Sequence, residues 1–251
     1  MSMRRFYHPE QLTPNSEFSL SSATHHHWVK VLRAKVGDTA VLFHGGAEML
    51  ITLIEITKNT AEVRSEELIC ITRGNAFEVE LGLVMSRGDR MDYALQKATE
   101  LGASRIQLLW SERCEVKLGS AERTSKKLHH LEQVVVSACE QSGLNCVPKI
   151  LPPITLSEYC HSFSDLATQL VLAPNDTDLE LPKINFDLPI QLIIGAEGGL
   201  TTDEIALCQN SGAACWSLGP RILRCETAPV VALALLQSAY HGSVQEGTGI
   251  L

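Results

Sequence analysis

The sequence predicts an α/β chain in two parts, a small β-rich unit followed by a largely parallel sheet with helices on both faces. Three observations predict it. Over the first seventy or so residues, short apolar runs are closed by tight-turn residues. From about Phe77, strand-like and helix-like patterns alternate. The chain has 251 residues, 45% hydrophobic and 20% charged, which is enough apolar material to bury cores without cross-links.

In the first part, Thr24 to Arg33 is a short helix candidate with Trp28, Val31 and Leu32 on one face. Val36-Gly37-Asp38 turns into a strand at Thr39 to Phe43, and Gly45-Gly46 makes a hairpin into the alternating Met49 to Ile56. Lys58-Asn59 turns into Ala61 to Arg64. Short strands joined by tight turns suggest a small barrel, with Arg73-Gly74-Asn75 as the boundary. Beyond it, Val79 to Val84 reads as a strand and Arg87-Gly88-Asp89 as a turn. A helix then runs from about Arg90 to a C-terminal glycine, Gly102. Arg105 to Trp110 is the next strand, and a long helix covers about Ser125 to Ser142, stopped by Gly143. Strand candidates follow at Val147 to Leu151, Gln169 to Ala173, Ile190 to Ile194 and Ala214 to Leu218. Helix candidates lie between them, and an apolar helix runs from about Glu226 to His241.

Several classes are disfavoured. The most apolar stretch, Pro229 to Leu236, is too short to span a bilayer. Met1 to Pro9 leads into no apolar run, so Arg4-Arg5 does not read as an export signal, and a soluble, cytoplasmic protein is expected. The eight cysteines are scattered without a C-x-x-C pair, as expected of reduced thiols. His25-His26-His27 places consecutive imidazoles in different directions, so no metal is expected. The net charge of −8 opposes a general nucleic-acid footprint. Only the local cluster of Arg4, Arg5, Lys30, Arg33 and Lys35, near Phe6, Tyr7 and Trp28, could supply one.

Two strand-end loops are unusual. Gly195-Ala196-Glu197-Gly198-Gly199 follows the strand at Ile190 to Ile194, and Thr201 and Glu204 then have capping-box spacing. Glycines let backbone approach a ligand closely. The segment is either an ordinary turn into a capped helix or a binding loop. Its spacing is neither that of the dinucleotide fingerprint nor that of a phosphate loop. The second loop, Leu218 to Ala228 (LGPRILRCETA), carries Arg221 and Arg224, with Pro229 suited to the first turn of the last helix. Its arginines either meet a ligand or pair with Glu226. Ligands in open α/β sheets bind beyond the carboxyl ends of strands, so two such loops together point to a site.

These motifs resemble the SPOUT methyltransferase superfamily, and most closely the ribosomal RNA small subunit methyltransferase E family, which methylates uridine N3. The similarity includes MRRFY from Met3, HHWVKVLRAKVGD from His26, KATELG from Lys97, EQSG from Glu140 and, most specifically, LGPRILRCETA. It implies a PUA-like RNA-binding β-barrel over residues 1–73 and a SPOUT α/β domain with a trefoil knot over residues 74–246. It also implies a homodimer acting on 16S rRNA, in the decoding region of the assembled or nearly assembled small ribosomal subunit. The implied cofactor is S-adenosyl-L-methionine. On matching positions its site would comprise Leu172, Ala173, Gly195, Glu197, Gly198, Gly199, Leu218, Gly219, Ile222, Leu223, Arg224, Thr227 and Ala228. Two departures stand out: Ala196 replaces the family's usual proline, and Leu144 replaces the family's common arginine, so that any RNA contact of that arginine is either missing here or replaced by Lys149.

Methylating N3 requires loss of its proton and in-line attack on a methyl group. Arg224 is the candidate to stabilise charge developing on a uracil oxygen. Glu197 and Glu140 are candidates to take the proton, or else to make structural hydrogen bonds. Arg4, Arg5, Lys30 and Arg33 are the expected RNA-binding residues. The competing readings are a methyltransferase with another target such as a ribose 2′-oxygen, a non-catalytic RNA-binding assembly factor, and a dinucleotide-dependent oxidoreductase. The glycine spacing disfavours the last.

Overall fold

The computed structural model describes residues 3–173 and 181–247, with side chains through residue 243. The chain divides into two compact units. One takes the chain up to Gly74 together with Val136–Val147; the other takes Asn75–Val135 and the chain from Pro148 onward.

The first unit holds β1 (Arg5–Tyr7), β2 (Glu17–Ser19), α1 (Ser22–His25), β3 (Thr39–His44), β4 (Ala47–Ile56) and β5 (Ala61–Cys70). Its sheet has the order β1-β3-β4-β5-β2, antiparallel except where β1 lies parallel to β3. Among the described residues β1 and β2 do not pair, so the expected barrel is an open five-stranded sheet. Each edge strand is only three residues long and makes one short ladder with its single neighbour. Gly45 (φ 55°) and Gly46 (φ 86°) adopt the two positive angles that a tight hairpin between β3 and β4 needs. Register shifts at Met49/Ile51 and Leu53/Glu55 mark irregularities in the β4–β5 ladder. The core of the unit includes Phe6, Trp28, Leu42, Met49, Ile51, Leu53 and Val63.

The expected helix Thr24 to Arg33 begins at Ser22, capped by the Ser21 hydroxyl, and widens into a π-helical stretch over His26–Val31. The Leu32 N–H donates to the His27 carbonyl, five residues back. The wider turn buries Trp28 but leaves Val31 57% exposed, so the two do not share a buried face. Val136–Val147 brings Asn145, which is fully buried. It accepts from the Arg73 N–H and donates to the Ile71 carbonyl and to Glu48.

The second unit holds β6 (Val79–Val84), α2 (Asp89–Glu100), β7 (Arg105–Trp110), α3 (Ala121–Ser142), β8 (Lys149–Thr155) and α4 (Leu156–His161). They are followed by β9 (Thr168–Leu172), β10 (Ile190–Ile194), α5 (Thr202–Asn210), β11 (Ala214–Trp216) and α6 (Ala228–Gly247). The residues of α3 from Val136 belong to the first unit. The sheet order is β11-β9-β10-β6-β7-β8, and every pairing is parallel. Residues of β6 and β10 are buried on both faces, as central strands of a doubly covered sheet must be. Edge strand β8 tolerates Pro152 and Pro153, which cannot donate to a ladder. The chain builds outward from β6 through β7 to β8, then crosses to β9, β10 and β11 on the other side. The order therefore reverses between β6 and β10. Among the described residues no helix is long and apolar enough to cross a membrane, and all eight cysteines are free.

Candidate active site

The three neighbouring strands β11, β9 and β10 end side by side, and their loops enclose a cavity of about 350 Å³. That volume lies in the range of small-molecule sites. The β10 loop turns back on itself. A Cβ at Gly195 would come 3.0 Å from the carbonyl carbon of Gly199 and from the Leu200 nitrogen, which are backbone atoms that cannot swing aside. Gly199 (φ 65°) closes the turn with its N–H on the Ala196 carbonyl, 2.9 Å away. The loop then enters α5 through the capping box of Thr201 and Glu204. The β9 loop contributes Leu172 and Ala173. The β11 loop passes Gly219 (φ 114°) and reaches α6 with the Thr227 and Ala228 N–H groups on the Arg224 carbonyl.

Of the residues expected at a cofactor, Leu172, Ala173, Gly195, Glu197, Gly198, Gly199, Leu218, Gly219, Ile222, Leu223 and Ala228 line this cavity. Arg224 and Thr227 do not; the turn that their backbone makes into α6 is their visible role. The wall also contains Ile205, Trp216, Ser217, Arg221 and Cys225, and Arg113 from the loop after β7. The Arg113 stem lies across Gly198, where a Cβ would meet it at 3.2 Å, and its guanidinium donates to the Gly198 carbonyl at 2.7 Å. Sequence reading missed Arg113 because it is remote from both motifs; its place at a strand end was the available signal. Ile222 stands 89% exposed at the cavity. Burial first, then the hydrogen bond to Glu226, pushes the Cys225 thiol up to about 11, so it is a protonated wall residue. Burial works against ionisation of Glu226, yet its own backbone N–H, the Cys225 thiol, Arg90 and Arg224 together hold its carboxyl below the usual range.

Glu197 accepts from the Arg90 guanidinium at 3.2 Å and the Arg87 N–H at 3.4 Å, both on Oε1; among the described residues Oε2 makes no hydrogen bond. Arg224 is exposed, and its charge acts on Glu226. Glu140 is elsewhere: it belongs to the first unit, where it accepts the Tyr7 N–H at 3.0 Å beside His27. Burial raises its pKa, while Tyr7 and His27 oppose that. It is thus a structural acceptor and not a cavity residue. Of the four expected RNA-binding residues, Arg4, Lys30 and Arg33 are exposed. Arg5 is not available for that role, because it forms a two-pronged pair with Glu48 and its side chain is only 15% exposed.

The RNA methyltransferase domain family matches residues 73–237, which include every cavity-lining residue. Ribosomal RNA small subunit methyltransferase E of Buchnera aphidicola (subsp. Schizaphis graminum) is 34% identical over 93% of this chain and 95% of its own length. The chain belongs to the ribosomal RNA small subunit methyltransferase E family. Its member from Rickettsia conorii is 32% identical over 93% of this chain and 95% of its own. The family member from Neisseria gonorrhoeae, whose crystal structure has S-adenosyl methionine bound, superposes with a TM-score of 0.88. It is 34% identical, over 95% of this chain and 98% of that one.

Proposed function

We propose that this protein transfers a methyl group from S-adenosyl-L-methionine to uridine N3 in 16S rRNA of the small ribosomal subunit. The observation that carries the reading is the cavity over β11, β9 and β10, walled by the two family motifs. Its apolar walls and exposed glycine backbone fit the donor, whose adenine needs an apolar slot edged by backbone groups. When bound, S-adenosylmethionine would supply a methyl group on a positive sulfur, the sulfur departing as a neutral thioether once the methyl is transferred. The residues of the chain then have to orient the base, take its N3 proton and stabilise the uracil anion. The free Oε2 of Glu197 takes the proton as the N3–methyl bond forms and the sulfur–methyl bond breaks. Arg224, one residue beyond the lining residue Leu223, stabilises the charge on the uracil oxygen.

The finer architecture is proposed with it. The open sheet of the first unit represents a PUA-like module that holds RNA phosphates through Arg4, Lys30 and Arg33. The β9, β10 and β11 loops, which follow strands laid down out of sequence order, form the trefoil knot of the family, and two copies pair as a homodimer. Incubating the protein with labelled donor and immature small subunits, then identifying the modified nucleoside, tests the reading. N3-methyluridine is the expected product. A ribose-methylated product moves the target to the 2′-oxygen, and absence of any transfer under donor-binding conditions overturns the enzymatic reading.

A further inference from the structure

A second groove, of about 840 Å³, adjoins the donor cavity and shares Arg113, Glu197 and Gly198 with it. Its remaining walls come from the loop after β6 and the first turn of α2 (Arg87 to Arg90) and from the loop after β7 (Glu112 to Glu115). It therefore lies over the carboxyl ends of β10, β6 and β7, where the strand order reverses. A reversal of this kind opens a crevice between loops that leave in opposite directions, and it is where open α/β sheets bind ligands.

We infer that this groove seats the target nucleotide, with Arg87 and Arg90 holding its flanking phosphates and Glu197 meeting its base where the two cavities join. The inference rests on the methyltransferase reading and assigns that reading its substrate side. Three arginines (Arg87, Arg90 and Arg113) share the groove with carboxylates that include Glu115 and Glu197. Such a mixture is wrong for a long run of phosphates, but it suits one nucleotide. Phosphate oxygens accept from guanidiniums, while the ribose hydroxyl and the uracil N3–H donate to carboxylates. The arginines are accessible for this exchange. Arg87 pairs with Glu115 at 3.2 Å, both side chains being more than two-thirds exposed, and Arg90 pairs with Glu197 with its side chain 46% exposed. Exposed pairs of this kind contribute little to stability, so a phosphate displaces Glu115 at little cost.

The test is the double variant Arg87→Gln/Arg90→Gln, compared with wild type in three measurements. These are donor affinity by calorimetry, KM for immature small subunits, and the salt dependence of binding to a uridine-containing single-stranded oligoribonucleotide. The expected result is a donor Kd within twofold of wild type and a KM raised roughly tenfold. The log–log salt slope should be shallower by about 1.4, at about 0.7 for each single-strand phosphate lost. An unchanged slope and KM with donor binding intact overturns the groove assignment. Should the double variant lose donor binding through misfolding, Arg87→Gln alone serves, because only an exposed pair is removed; its slope should fall by about 0.7. A wild-type chain that binds no donor instead sinks the methyltransferase reading, and the salt slope still decides whether the groove holds RNA.

Discussion

Replacing Gly195 with alanine tests whether the β10 loop is shaped for a ligand or merely turns a corner. The added Cβ would sit 3.0 Å from two backbone atoms, Gly199 C and Leu200 N, and 3.1 Å from Gly199 Cα. Ordinary contact begins near 3.4 Å, so the loop must open by a few tenths of an ångström. No side chain can rotate to absorb the shift, because all three atoms are main chain. Overpacking of this kind costs about 1–3 kcal/mol. If the strain falls on the donor-competent loop, it weakens donor binding by roughly 5- to 150-fold, at about 1.4 kcal/mol per tenfold change. Calorimetric titration with S-adenosylmethionine measures it. Gly242→Ala is the control, since a Cβ there meets nothing within 4 Å and the residue lies inside α6. That control should bind normally and gain about 0.5–1 kcal/mol of stability. A Gly195→Ala protein with donor affinity within twofold of wild type and an unchanged unfolding midpoint would refute the argument.

Three further outcomes are expected. Arg224→Ala should lower turnover by about 10²- to 10³-fold, as loss of a charge-stabilising donor does, while calorimetric donor affinity stays near wild type; unchanged turnover removes Arg224 from the mechanism. Glu48→Gln should cost about 3–5 kcal/mol in urea unfolding, because it strips the counter-charge from Arg5, whose side chain is 15% exposed. Burial opposes the charge on Glu48, but Arg5 and Arg73 outweigh it and depress the carboxyl. Its contribution is therefore complete above the unfolded value of about 4.3 and disappears as pH falls through the folded value, and a loss under 1 kcal/mol at pH 7 contradicts the account. Glu140 has the opposite sign. Burial raises its folded pKa, so its favourable contribution is present below about 4.3 and lost as pH rises through the folded value. Glu140→Gln should raise the unfolding midpoint at pH 7 and match wild type near pH 4; a lower midpoint at pH 7 with a match near pH 4 would show that the charge stabilises.

Local pattern carried much of this molecule. The apolar run Val79 to Val84 is β6, and Thr201 with Glu204 forms the capping box that their spacing predicts. Where a pattern needs length to show itself, it failed. β1 and β2 have three residues each, too few for an alternation. For Glu140 the residues alone leave both roles open, because whether that carboxylate faces a ligand or the Tyr7 N–H depends on the strand packed against it. Arg5 likewise reads as a free cation until Glu48, forty-three residues later, is placed beside it.

The two strand-end motifs and the α/β alternation are thus legible in the residues alone, because turns, caps and periodicities are set by neighbours a few positions apart. The order β11-β9-β10-β6-β7-β8 is not, because it is decided by which strands bury one another across long crossovers. That order gathers Leu172, the Gly195 loop and Leu218 into one cavity, and it brings Arg87, Arg90 and Arg113 to its edge.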